Sequence, residues 1–169
     1  MDEESTRIGT VTDLVEQAEP LEQMVCFAMY SATQATVQYY RDVLAPFGIT
    51  YQQFLVLVEL NLAGRQSPTH LADALHLDCS SVSGLLNRME RSGLVERIRD
   101  DKDRRAVSVA ATDRSREIFS RLGFLGGCVS GAMGLEPDEM RALLKALHKV
   151  RDAMVSAPRP QPEPVLVTA

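Results

Sequence analysis

At 169 residues, 45% hydrophobic and 24% charged, the chain has the size and balance of one soluble globular domain with tails. No apolar run approaches the roughly 18 residues that a membrane span needs, and the acidic start MDEEST is unlike a signal peptide, so a cytoplasmic protein with no membrane partner is expected. A net charge of −5 excludes nucleic-acid binding over the whole surface and leaves room only for a local basic patch. Cys26, Cys79 and Cys128 form no CxxC pair, and His70, His76 and His148 do not join them at zinc-ligand spacing, so no metal and no other cofactor is expected.

Residues 1–19 read as a polar, acidic arm. From Pro20 a helical pattern runs to Leu44 and stops at Pro46 and Gly48, which predicts a helix of about 25 residues, roughly 38 Å long. Thr50 opens a second helix with capping-box spacing to Gln53, and its body, FLVLVELNL, is apolar nearly all round and expected to be buried. Ser67 and Pro68 begin a short third helix. A fourth runs from Asp78 or Cys79 to Ser92, with Val82, Leu86 and Met89 spaced along one apolar face.

The period then changes from helix to strand. LVERIR, a charged turn DDKDR and RAVSVA predict a two-stranded hairpin. Thr112 caps another helix to about Leu122, a glycine-rich break is expected over 123–134, and Pro137 opens a last amphipathic helix to about Val155. The tail from 157 to 169 is proline-rich and expected to be disordered.

A short helix, a tight turn, a helix with small polar outward side chains and a hairpin with a basic tip make up a winged helix-turn-helix. The expected fold class is therefore mainly α with a small β-hairpin wing. Such a helix fits the major groove of DNA, and a hairpin tip carries arginine to the flanking minor groove. From Leu86 to Arg105 there are seven basic and five acidic residues, so this segment is positive within a negative chain. A solvated charged hairpin on an unrelated fold is the blander reading of the same residues.

The hairpin D103-R-R105-A-V-S-V-A-A-T112 resembles the wing of the MarR (multiple antibiotic resistance regulator) family of dimeric bacterial repressors, whose pattern is D-x-R, an alternating strand and a threonine. The glycine that often follows that threonine is Ser115 here. The resemblance implies double-stranded operator DNA as partner, an inverted repeat, and a homodimer. It makes Arg105 the wing-tip contact, with Asp103 orienting it and Arg104 beside it, and makes Ser81, Ser83, Asn87 and Arg88 the base-reading candidates. On this division 20–47 is the first dimerisation helix, 48–111 the DNA-binding lobe and 112–156 the C-terminal dimerisation helices.

The stretch L21-E-Q-M-V-C26-F-A-M-Y30, with Tyr40 and F47-G-I-T-Y-Q-Q-F54 beyond it, is similar to the organic hydroperoxide repressors within that family. That resemblance implies a peroxide-sensing role for Cys26, with Tyr30 and Tyr40 hydrogen-bonding to it. Tyr30 stands at i+4 from Cys26 on one helix face, whereas Tyr40 is fourteen residues away, roughly 21 Å, and reaches the sulfur only from a second copy. Cys26 is expected in the second turn, so the helix dipole adds little and hydrogen bonds must stabilise the thiolate. Met24, Phe27 and Met29 would favour an oxidant with a hydrocarbon tail.

The resemblance also implies that oxidised Cys26 forms an intersubunit disulfide with Cys128, for which a small cellular thiol is the alternative. From residue type and spacing alone, Cys26 reads as an unreactive packing residue, and Tyr39, Tyr51 and Cys79 as packing or surface residues. The functional expectation is a non-enzymatic, DNA-binding repressor released from its operator by organic hydroperoxide. The alternative is a repressor controlled by a small aromatic ligand; a thiol peroxidase that uses Cys26 would leave the wing arginines without a purpose.

Overall fold

The structure, a computed structural model, describes residues 20–99 and 107–160. The acidic arm, the wing-tip residues Lys102, Asp103, Arg104 and Arg105, and the tail beyond 160 lie outside the described residues.

The first unit runs to Ser120. Leu21–Gln23 forms a single 3-10 turn, and Met24 then adopts extended backbone (φ −80°, ψ 119°), so α1 covers Val25–Leu44 and not the continuous helix expected from Pro20. Its 20 residues span roughly 30 Å. A second 3-10 turn, Ala45–Phe47, carries Pro46 and ends at Gly48 in the left-handed region (φ 67°), the conformation glycine adopts without steric cost.

Helix α2 (Tyr51–Leu62) starts with the expected capping box. The Gln53 amide donates to Thr50 Oγ1 at 3.3 Å, and the Thr50 amide donates to Gln53 Oε1 at 2.8 Å. Only one stripe of α2 is fully buried, Val56, Leu57 and Leu60, while Leu62 is 78% exposed, so the helix is less enclosed than its composition suggests.

Ser67 caps α3 (Pro68–Leu75) by accepting from the His70 amide at 3.1 Å, and His76 turns the chain with φ 53°. Helix α4 covers Cys79–Arg91 and buries Val82, Leu85, Leu86 and Met89 against α2, α3 and the first strand. Strand β1 (Val95–Arg99) pairs antiparallel with β2 (Val107–Ala111), Arg97 facing Val109. Gln66, just before α3, joins the same hairpin through two backbone bonds with Val109, at 2.7 and 3.0 Å.

Helix α5 (Asp113–Arg121) is fixed to the hairpin by Thr112. Its hydroxyl donates to the Gly93 carbonyl at 2.7 Å and accepts from the Ser115 amide at 3.3 Å. Ser115 is fully buried, and its hydroxyl donates to the Thr112 carbonyl at 2.9 Å. The architecture of this unit is a winged helix-turn-helix.

The second unit contains α6 (Leu125–Met133) and α7 (Pro137–Ser156). The expected glycine-rich break is a helix over most of its length. Its glycines Gly126, Gly127 and Gly131 face open space, Leu125 is buried, and left-handed Gly134 ends the helix. Burial of an anchoring leucine outweighs the poor helix propensity of glycine here.

The buried stripe of α4 is part of the core of the first unit. Leu86→Ala should destabilise the protein by about 2–5 kcal/mol in urea unfolding, because the neighbours cannot collapse onto the void. Ser83→Ala, on the exposed side of the same helix, should change stability by less than about 0.5 kcal/mol.

Candidate functional site

The apolar residues of α4 occupy one side, so the other side is presented outward by elimination. Ser80, Ser81, Ser83, Asn87, Arg88 and Arg91 are all exposed. The head of α4 is built by Asp78. Its carboxylate accepts from the Ser81 amide at 2.8 Å and from the Ser81 hydroxyl at 2.6 Å, and it also accepts from the Ser80 hydroxyl. These bonds, with that of the Ser80 hydroxyl the largest, hold the Asp78 carboxyl well below the usual carboxylate range.

The cap changes the chemistry available to the predicted contacts. Ser81 donates its one hydroxyl hydrogen to Asp78, so what it has left to offer outward is lone pairs, an acceptor. Ser83 and Asn87 lie exposed on α4. Glu90 is neutralised by Arg97 of β1 at 2.9 Å, while Arg91 Nε donates to the Asn87 carbonyl at 3.2 Å. The positive character of the outward face therefore rests on Arg88 and Arg91. The other predicted contacts, Asp103, Arg104 and Arg105, lie outside the described residues.

A depression of about 350 Å³ opens beside this face, lined by Gln52 of α2 and by Leu77, Ser80, Ser81, Gly84, Leu85 and Arg88. Gln52 and Gly84 were not among the predicted contacts. Gln52 is invisible as a site residue in sequence because it sits in a run that reads as helix start.

The second predicted site is at the head of α1. Cys26 is exposed and follows Val25, the first residue of the helix, so it stands in the first turn rather than the second. The side chain of Met24 does not cap that turn, which is the positive end of the helix dipole. Leu21, Met24, Val25 and Tyr30 around it are exposed apolar or aromatic side chains.

Tyr30 is 61% exposed with its ring beside Phe27, centroids 6.3 Å apart, and among the described residues no hydrogen bond joins it to Cys26. Tyr40 stacks on Tyr51 with centroids 4.3 Å apart and lies 5.7 Å from Phe54, which in turn stacks on Phe119. Burial pushes the Tyr40 phenol above its ordinary value, and the neighbouring Tyr51 and Tyr39 add to this; burial alone does the same for Tyr51. Both phenols therefore stay protonated, as donors. Tyr51, read from sequence as packing, belongs with Tyr40.

Cys128 is exposed within α6, where its amide donates to the Phe124 carbonyl at 3.2 Å, and so does not sit in a flexible break. Cys79 is the exposed first residue of α4, whose cap is Asp78. Among the described residues no three His, Cys, Asp or Glu side chains gather as a metal site, and no single helix is long and apolar enough to cross a membrane.

Comparison with known proteins brings these features into one family. The model of the MarR family matches residues 49–107. The HTH-type transcriptional regulator TtmR of Methylorubrum extorquens (strain PA1) is 38% identical over 136 residues, covering 80% of this chain and 70% of TtmR. The solved structure of reduced AbfR bound to DNA is similar with a TM-score of 0.67 at 26% identity, covering 86% of this chain and 96% of that one. Bordetella bronchiseptica BpsR, whose DNA binding is regulated by 6-hydroxynicotinic acid, gives a TM-score of 0.71 at 25% identity, covering 83% of this chain and 99% of that one.

The Asp78 cap has a pH signature. Because the folded carboxyl binds its proton more weakly than the unfolded one, its stabilisation is present above the ordinary carboxylate range and is lost as pH falls toward the folded value. Asp78→Ala should lower Tm at pH 7, and the gap to the unaltered protein should narrow by pH 3, as read by thermal circular dichroism.

Proposed function

The chain belongs to the MarR family of transcriptional regulators, and from that premise we propose that it is a cytoplasmic homodimeric repressor released from an inverted-repeat operator when organic hydroperoxide oxidises Cys26. The observation that carries the redox half is the position of Cys26, exposed in the first turn of α1 and bordered by apolar side chains. AbfR, a structural relative, is known on DNA in both reduced and overoxidised forms, so oxidation is a described state of one relative.

In this reading the Cys26 thiolate attacks one peroxide oxygen. A sulfur–oxygen bond forms, the oxygen–oxygen bond breaks, and the alkoxide leaves with a proton from a phenol or from water. Tyr40 is too far along α1 to act on Cys26 of its own chain, so it serves the sulfur of the second copy. Tyr51 comes with it because the two rings are stacked. Tyr30, at i+4, is the donor candidate from the same chain. The sulfenic acid then condenses with Cys128 of the other subunit, losing water, or with a small thiol.

The homodimer is supported by what is left uncovered. Leu143, Leu144, Leu147 and Met154 make an exposed apolar stripe along α7, and Leu21, Met24 and Val25 do the same before and at the head of α1. DNA reading falls to Ser81, Ser83, Asn87 and Arg88 of α4, with Arg104 and Arg105 of the wing oriented by Asp103. A second reading, release by a small aromatic ligand, is favoured by the likeness to BpsR.

Gel-shift titrations separate the two. Alkyl hydroperoxide should weaken operator binding at least roughly tenfold, about 1.4 kcal/mol, and Cys26→Ser should abolish that response without changing basal affinity. A Cys26→Ser protein that still lets go of its operator on peroxide treatment would sink the redox reading, and release by an aromatic acid in a cysteine-free variant would establish the other. Tyr40→Phe should slow oxidation of Cys26 roughly tenfold, the loss of one hydrogen bond to a charged group, as measured by thiol-labelling kinetics.

A further inference from the structure

Gly84 lies inside α4, a position where glycine is the least favourable residue after proline. Among the described residues no neighbour requires it. Its backbone is helical, and a Cβ built there would meet only Arg88 Nη1, at 3.6 Å, an ordinary van der Waals contact. A residue that weakens its helix and serves no neighbour is explained by something that approaches from outside.

Gly84 lines the depression shared with Gln52 and Arg88. Ser80 and Ser81 also line it, but their hydroxyl protons are committed to Asp78, so the donors available there are the Arg88 guanidinium and the Gln52 carboxamide. Among the described residues Arg88 is the only charged group that lines it, and its Nη1 stands beside Gly84.

We propose that this depression seats one backbone phosphate of the bound DNA, gripped by Arg88 and Gln52, and that Gly84 is kept without a side chain so that the phosphate can come down onto α4. The proposal rests on the DNA-binding reading above and extends it. This moves Arg88 from the base-reading set named above to a backbone contact that positions the helix on the duplex, and Gln52 brings α2 into the interface. Arginine, glutamine and close backbone approach are the usual means by which proteins hold phosphate oxygens.

The test measures stability and binding in the same variants, using a duplex enriched from a random pool by the unaltered protein. Gly84→Ala should raise Tm by roughly 2–5 °C, since alanine favours the helix, while weakening binding roughly tenfold for cognate and unrelated duplexes alike. The slope of log affinity against log salt should become shallower by about one, the loss of one phosphate contact, and Arg88→Gln should do the same. Gln52→Ala should weaken binding with the slope unchanged.

Gly84→Ala binding as tightly as the unaltered protein would overturn the phosphate seat and leave the regulator reading intact. A loss confined to particular base-pair changes with the slope preserved would overturn it in favour of a base contact. An unaltered protein that enriches no duplex and shows no salt-dependent binding would overturn both.

Discussion

One-sided burial of α4 is the constraint from which the rest follows. Val82, Leu85, Leu86 and Met89 are at most 2% exposed, and each fully buried aliphatic side chain contributes on the order of 1.5–3 kcal/mol. Because that stripe is locked against α2, α3 and β1, the helix cannot rotate about its axis. The serines, Asn87 and the arginines are therefore held outward without needing contacts of their own. Asp78 sets where the helix begins, and the turn at Gly93 sets where the hairpin leaves it.

The second constraint is what the chain leaves uncovered. The apolar stripe of α7 and the apolar head of α1 are unfavourable in water, and in the proposed homodimer a second copy of the chain removes that cost. Placing Cys26 at such an edge makes its surroundings depend on the dimer. In the proposed mechanism any change at the sulfur, whether an added oxygen or a new disulfide, acts where the two copies meet, and so bears on the spacing of two α4 helices that must fit one duplex.

Much of this was legible in the sequence because it rests on local rules. The switch from a helical to an alternating period located the hairpin, Thr50 with Gln53 and Ser67 with Pro68 marked real helix starts, and Thr112 caps α5 as read. What was not legible depends on backbone choices without a residue signature. Met24 is a good helix former, and nothing in its type announces the extended conformation that moves Cys26 into the first turn. The 126–131 glycines read as a break because propensity was the only visible term; the buried Leu125 was not. Tyr51 follows a turn at Pro46 and Gly48, and only the folded turn shows that it comes back onto Tyr40. Gly84 could be placed on α4 from sequence, but the absence of any neighbour that needs it is a fact of the fold alone.

The orientation of α4 can be probed on the DNA itself. Dimethyl sulfate methylates guanine N7 from the major groove and adenine N3 from the minor groove, so protection on a bound operator reports which groove the protein fills. An outward face held by Val82, Leu85, Leu86 and Met89 predicts protected guanines in two symmetric clusters about 10–10.5 base pairs apart, centre to centre. Guanines left fully reactive throughout a saturated complex, with protection limited to adenine N3, would contradict the assignment of α4 as the helix that enters the DNA.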